Sequence, residues 1–137
     1  MNCQVHLVQL DPTLGNLEAN LEMHLEEARS AASKGADCVL FSELSLTGYF
    51  LKDQTAEVAL RLNDELLARL SELSNSISIG AGFIERGDDG QLYNAYGFWE
   101  DGELLSVHRK VHLVTYGMFE EHRDLGAGCN FTPIESK

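Results

Sequence analysis

Apolar and polar positions recur with two different periods along this chain of 137 residues, and the change from one period to the other marks out the elements. From Cys3 to Leu10 apolar and polar residues alternate, the signature of a strand. Asp11, Pro12 and Gly15 punctuate a turn, after which Leu17, Leu21, Leu25, Ala28 and Ala32 fall on one face at helical spacing. Asn16 suits the N-cap of that helix and Gly35 its stop, while Glu18, Glu22, Glu26 and Glu27 are expected to face water. A short apolar run, Ala36 to Phe41, reads as a buried parallel strand, so the opening forty residues predict a β-α-β unit. Glu43 then stands just past the C-terminal end of that strand, the edge at which α/β sheets hold ligands.

The spacing of Ala59, Leu62, Leu66, Leu70 and Leu73 predicts a second helix from about Thr55 to Leu73. Ile77 to Ile84 reads as a strand whose Gly80 and Gly82 allow another backbone to come close. Tyr93 to Glu100 and Leu104 to Val111 predict two further strands joined by the hairpin signal Asp101-Gly102. Lys110 sits where that last strand gives way to a loop, and beyond Glu121 no further regular element is expected. The two leucine-striped helices are enough to cover one face of the sheet and not both.

Composition narrows the function. With 22 acids against 10 bases the formal net charge is -12, which opposes binding to nucleic acid or to an anionic membrane. No segment reads as a signal peptide or a membrane span, and three cysteines without CxxC spacing point to a reducing, cytoplasmic setting. His108 and His112 have a metal-like interval that would align ligands only on a helix, so no metal site is expected there. The chain holds no phosphate-binding glycine motif, which disfavours a doubly wound nucleotide binder.

The chemistry gathers at two strand-to-loop junctions. A glutamate beside a lysine can act as general base while the lysine stabilises an oxyanion, in support of a nucleophile that attacks a carbonyl or nitrile carbon. From spacing alone, an ordinary structural ion pair between Glu43 and Lys110 is the simpler reading.

The segment Phe41-Ser-Glu43-Leu-Ser-Leu-Thr-Gly-Tyr49, together with Arg109-Lys110-Val-His-Leu and Tyr116-Gly-Met-Phe-Glu-Glu121, resembles the nitrilase superfamily of carbon–nitrogen hydrolases. The resemblance covers nearly the whole chain and implies an α/β fold, an α-β-β-α sandwich of which these residues supply roughly the N-terminal half. It implies that Glu43 is the general base, that Lys110 steadies the tetrahedral oxyanion, and that Glu121, in preference to Glu120, is the supporting second glutamate. Tyr49 and Tyr116 match aromatic positions lining the substrate pocket, notably in the glutamine-hydrolysing domain of NAD synthetases.

In that family the nucleophile is a cysteine at the end of a strand beyond the lysine. Residues 1–137 are accordingly expected to be the N-terminal part of one such domain, cut before the nucleophile and inactive alone. Cys129 matches a glycine-rich loop with no catalytic duty. The family acts on small amides or nitrile-like substrates through a thioester or thioimidate, needs no cofactor or metal, and forms homo-oligomers. A short homologue acting as a non-catalytic binding module is the competing expectation.

Overall fold

The computed structural model describes residues 2–137. The elements in chain order are β1 (Val5–Val8), α1 (Leu17–Ser33), β2 (Cys38–Phe41), a short 3-10 turn (Lys52–Gln54), α2 (Glu65–Leu73), β3 (Ser78–Arg86), β4 (Leu92–Glu100), β5 (Glu103–Arg109) and α3 (Glu121–Asp124). The five strands make one sheet in which spatial order equals chain order, β1-β2-β3-β4-β5. The β1–β2 and β2–β3 pairs are parallel, and β3–β4 and β4–β5 are antiparallel. The predicted β-α-β unit and hairpin are both present. Asp101 and Gly102 each have positive φ, 53° and 82°, as a two-residue turn matched to strand twist requires.

The core lies on one face of the sheet. Val39, Phe41, Ile79, Ala81, Phe83, Ala95 and Trp99 are buried there against Leu21, Leu25 and Ala28 of α1 and Leu67 and Leu70 of α2. Period-2 alternation sends the other residues of each strand to the opposite face. Leu7, 77% exposed, pairs with Leu40, which in turn pairs with Gly80, so that this second face carries apolar groups with no helix over them. Its end near Ile84 is covered by Leu44, Leu51 and Val58 from the segment that follows β2.

Several element boundaries differ from expectation. The predicted helix over Thr55–Leu73 is helical only from Glu65 to Leu73. Leu60 instead bonds to β3, its amide donating to the Ile84 carbonyl and its carbonyl accepting from the Arg86 amide. Asp64 then starts α2 by accepting from the Leu66 amide. A pair of backbone bonds to a sheet edge has outweighed helical spacing in residues 55–64. The expected strand Cys3–Leu10 shortens to Val5–Val8, because β2 offers only four paired residues beside it. Past Glu121 a single helical turn forms where no element was expected.

Asn16 caps α1 as predicted, accepting from the Ala19 amide. Glu18 and Glu22 face water as expected, and both also bond to Arg69 of α2 across the two helices. Cys38 is half-buried, and burial pushes its thiol up to about 11, an unreactive state.

Candidate active site

Two chain segments that leave the sheet on its uncovered face build the site. The first runs from the end of β2 through Glu43, and it sits tightly against β3. A Cβ on Gly82 would clash with the Leu44 backbone nitrogen, so only glycine at position 82 lets the Glu43 turn come down onto the sheet. The second follows β5. Lys110 is the first residue past the strand, its backbone held by Asn94 on one side and Gly128 on the other.

These segments bring three predicted residues together around one cation. The Lys110 Nζ donates to Glu43 Oε1 at 2.7 Å and to Glu121 Oε1 at 3.0 Å. The three side chains differ in exposure: Glu121 is 6% exposed, Lys110 24% and Glu43 49%. Glu121 is fixed further by the Tyr49 hydroxyl, which donates to Oε1 at 2.6 Å, and by the Val114 amide, which donates to Oε2 at 2.6 Å. Glu43 receives a second bond on Oε1 from the Asn94 side-chain amide at 2.6 Å, which leaves its Oε2 free of any hydrogen bond among the described residues.

The electrostatics follow from this arrangement. Desolvation alone would lower the Lys110 pKa, but hydrogen bonds and charge attraction from Glu43 and Glu121 outweigh it and raise the group above the ordinary lysine value. Desolvation likewise opposes ionisation of Glu121, yet the Tyr49 hydroxyl, the Val114 amide and Lys110 hold its carboxyl below the usual glutamate value. Burial and the adjacent Glu121 carboxylate push the Tyr49 phenol well above its ordinary range, so it remains a neutral donor. The site therefore holds a fixed ammonium, a locked carboxylate behind it, and a second, half-exposed glutamate with one oxygen free of hydrogen bonds among the described residues.

Tyr116, the remaining predicted pocket residue, stands outside this cluster. It is 75% exposed and meets Phe119 edge-on, with ring centroids 6.4 Å apart. A cavity lined by Tyr49, Phe50, Leu51, Phe119 and Glu121 among others adjoins the cluster, and Tyr116 is not among its lining residues. Asn94 went unnoticed in the sequence, although it is the lone side-chain amide of β4.

The three cysteines lie elsewhere. Cys3 and Cys38 border a cavity at the N-terminal ends of the strands, and Cys129 lines a separate one with Glu85 and Arg109. Among the described residues no cluster of His, Cys, Asp or Glu could hold a metal ion, and no helix is long and apolar enough to cross a membrane. His108 and His112 both pack beside the Phe131 ring.

The carbon-nitrogen hydrolase family profile matches residues 4–129. The glutamine-dependent NAD(+) synthetase of Thermotoga maritima is 38% identical over 123 residues, which are 88% of this chain and 21% of that protein. The omega-amidase NIT2 of Xenopus tropicalis is 33% identical over 125 residues, 85% of this chain and 45% of the relative. The structure of the Acinetobacter baumannii glutamine-dependent NAD+ synthetase superposes with a TM-score of 0.83 at 30% identity, covering 96% of this chain and 25% of that one. Saccharomyces cerevisiae Nit3, a nitrilase-superfamily member, superposes with a TM-score of 0.83 at 26% identity, over 98% of this chain and 52% of its own. The chain thus spans about a fifth of the synthetases and about half of the shorter relatives. With its family profile matched over most of its length and its α/β fold shared with nitrilase-superfamily structures, this chain belongs to the carbon-nitrogen hydrolase family.

Proposed function

We propose that this chain supplies the acid–base and oxyanion-binding half of an amidase site that cleaves a small primary amide of the glutamine type. One observation carries the reading: the Lys110 ammonium is gripped between Glu43 and Glu121, with Glu43 Oε2 left open. Glu43 takes the proton of a cysteine thiol as its sulfur attacks the amide carbon. The carbonyl oxygen gains the negative charge and is met by the Lys110 ammonium, already fixed and partly desolvated. Collapse of the tetrahedral intermediate breaks the C–N bond, and protonated Glu43 gives its proton to the departing nitrogen. A water deprotonated by Glu43 then attacks the thioester carbon, the C–S bond breaks to release the acid, and protonated Glu43 returns its proton to the departing thiolate.

Cys3, Cys38 and Cys129 all border other cavities, which supports a nucleophile supplied from outside residues 1–137. The glutamine-type substrate is favoured by the synthetase relatives, and Tyr49 and Tyr116 are proposed to frame it. Three free cysteines support a reducing, cytoplasmic setting, and the uncovered apolar sheet face supports association between copies.

Grafting tests the assignment. Residues 4–129 replace the matching segment of the Thermotoga maritima synthetase, and ammonia release from glutamine is measured. The chimera is expected to be active and to lose on the order of 10²–10³-fold in rate on Lys110→Met or Glu43→Gln. A folded chimera indifferent to both substitutions overturns the reading.

A further inference from the structure

Behind Glu43 lies a buried polar chain that the reaction does not use. His24, on α1, and Ser45, on the turn after β2, are both buried. The His24 Nδ1 lies 2.6 Å from the Asn20 carbonyl oxygen, which makes Nδ1 the protonated nitrogen. Nε2 is then an acceptor for the Ser45 hydroxyl at 2.8 Å, and Ser45 Oγ in turn accepts from the Gly82 amide of β3 at 3.4 Å. Desolvation lowers the His24 pKa to about 4, so the ring stays neutral and keeps that acceptor. Asn20 reaches the same turn independently, its side-chain amide donating to the Leu46 carbonyl at 2.9 Å. The Leu46 amide donates to the Gly82 carbonyl at 2.9 Å.

This machinery surrounds a backbone conformation that needs holding. Leu44, the residue after Glu43, has φ 51°, a left-handed geometry that a residue with a Cβ adopts only at a cost. Its side chain is buried. A relaxed Leu44 would swing the chain direction at Glu43 and carry the carboxylate away from Lys110 and Asn94. On its C-terminal side the Ser45 hydroxyl and the Leu46 backbone bond to α1 and β3, while the Ser45, Thr47 and Gly48 amides bond back to the Ser42 and Leu44 carbonyls and close the turn.

We propose that His24 and Ser45 are positioning residues for Glu43: the hydrogen-bonded chain from α1 through Ser45 to Gly82 locks the Leu44 turn in the conformation that aims the carboxylate at Lys110. The inference rests on the reading of Glu43 and Lys110 as working partners. It adds a buried histidine–serine relay, acting through backbone, to the residues on which that pair depends.

The test is the titration of the Lys110 ammonium in this chain, followed by NMR of labelled lysine. Glu43→Gln sets the scale, lowering the Lys110 pKa by removing an adjacent negative charge. Ser45→Ala and His24→Leu are expected to lower it in the same direction by about half that amount or more. His24→Gln, whose amide oxygen offers the Ser45 hydroxyl an acceptor, is expected to stay closer to the unsubstituted chain. A folded Ser45→Ala or His24→Leu protein that is merely less stable, with Lys110 titrating as before, overturns the proposal, as do equal shifts for His24→Gln and His24→Leu. If either removal variant fails to fold, the other decides. Should Glu43→Gln itself leave Lys110 unmoved, the Glu43–Lys110 partnership falls, and the relay with it.

Discussion

Tyr49 and Glu121 are 72 residues apart in the chain and meet in a hydrogen bond of 2.6 Å, phenol to carboxylate. The contact joins the segment after β2 to the segment after β5, so the two halves of the site cannot drift independently. It also makes Tyr49 the third donor on a carboxylate already bonded to Lys110 and the Val114 amide.

Tyr49→Phe therefore removes one donor from a buried carboxylate while keeping the ring. Stability is expected to fall by about 1–2 kcal/mol, and the Glu121 pKa to rise. Chemical denaturation and carbon-detected carboxyl titration measure the two effects.

The site also sets a direction for acid and base sensitivity. The Glu121 pKa is depressed on folding, so its contribution is full above the ordinary glutamate value of 4.5 and is lost as pH falls through the lower folded value. The Lys110 pKa is raised, so its contribution is full below the ordinary 10.5 and is lost as pH rises through the higher folded value. Glu121→Gln should flatten the acid limb of a stability–pH curve and leave most of the alkaline limb in place.

Gly82→Ala places a methyl group against the Leu44 backbone nitrogen. Backbone on both sides leaves little room to yield, and a destabilisation of about 2–3 kcal/mol is expected from thermal unfolding. Gly90→Ala is a different case, since Gly90 has open space around it and only its φ of 81° opposes a side chain; about 1 kcal/mol is expected there.

Residues 1–137 alone are expected to release no ammonia from glutamine and to leave simple amides and nitriles intact. Cys129→Ser should change nothing in that assay. A measurable rate abolished by that substitution would make Cys129 the nucleophile.

Self-association is expected through the sheet face that carries Leu7 and Leu40. Sedimentation across a dilution series should show a defined oligomer, limited in size by the net charge of -12. Leu7→Glu should shift it toward monomer. A compact monomer at micromolar concentration before any substitution would contradict the expectation.

Glu43 and Lys110 were legible in the sequence because each stands just past a strand end, and strand ends are visible as breaks in alternation. Glu121, at the start of α3 and well beyond β5, was singled out by the family resemblance alone. Asn94 was not legible, since its role comes from lateral pairing: β4 sets its side chain toward Glu43, and pairing register has no local signature. His24 left a trace. It falls between Leu21, Leu25 and Ala28 on the buried face of α1, where an unpartnered imidazole would be costly, so a partner was implied without being named. The overextended second helix failed for a related reason. Leucine spacing across residues 55–64 satisfies a helix, but the bond partners of Leu60 on β3 are known only once the sheet exists.

The identity of spatial and chain order in the sheet bears on how the molecule is made. Each strand emerging from the ribosome finds its neighbour already present, so β1 through β5 can be laid down in the order of synthesis without any strand inserting between two others. The pieces of the site do not share that schedule. Glu43 is in place early, Asn94 arrives with β4 and Lys110 just after β5, and Glu121 closes the cluster last by reaching back to Tyr49. A nascent chain thus holds an assembled sheet for the interval before the cation gains its second carboxylate, and the lysine becomes fixed only when nearly the whole of this segment has been translated.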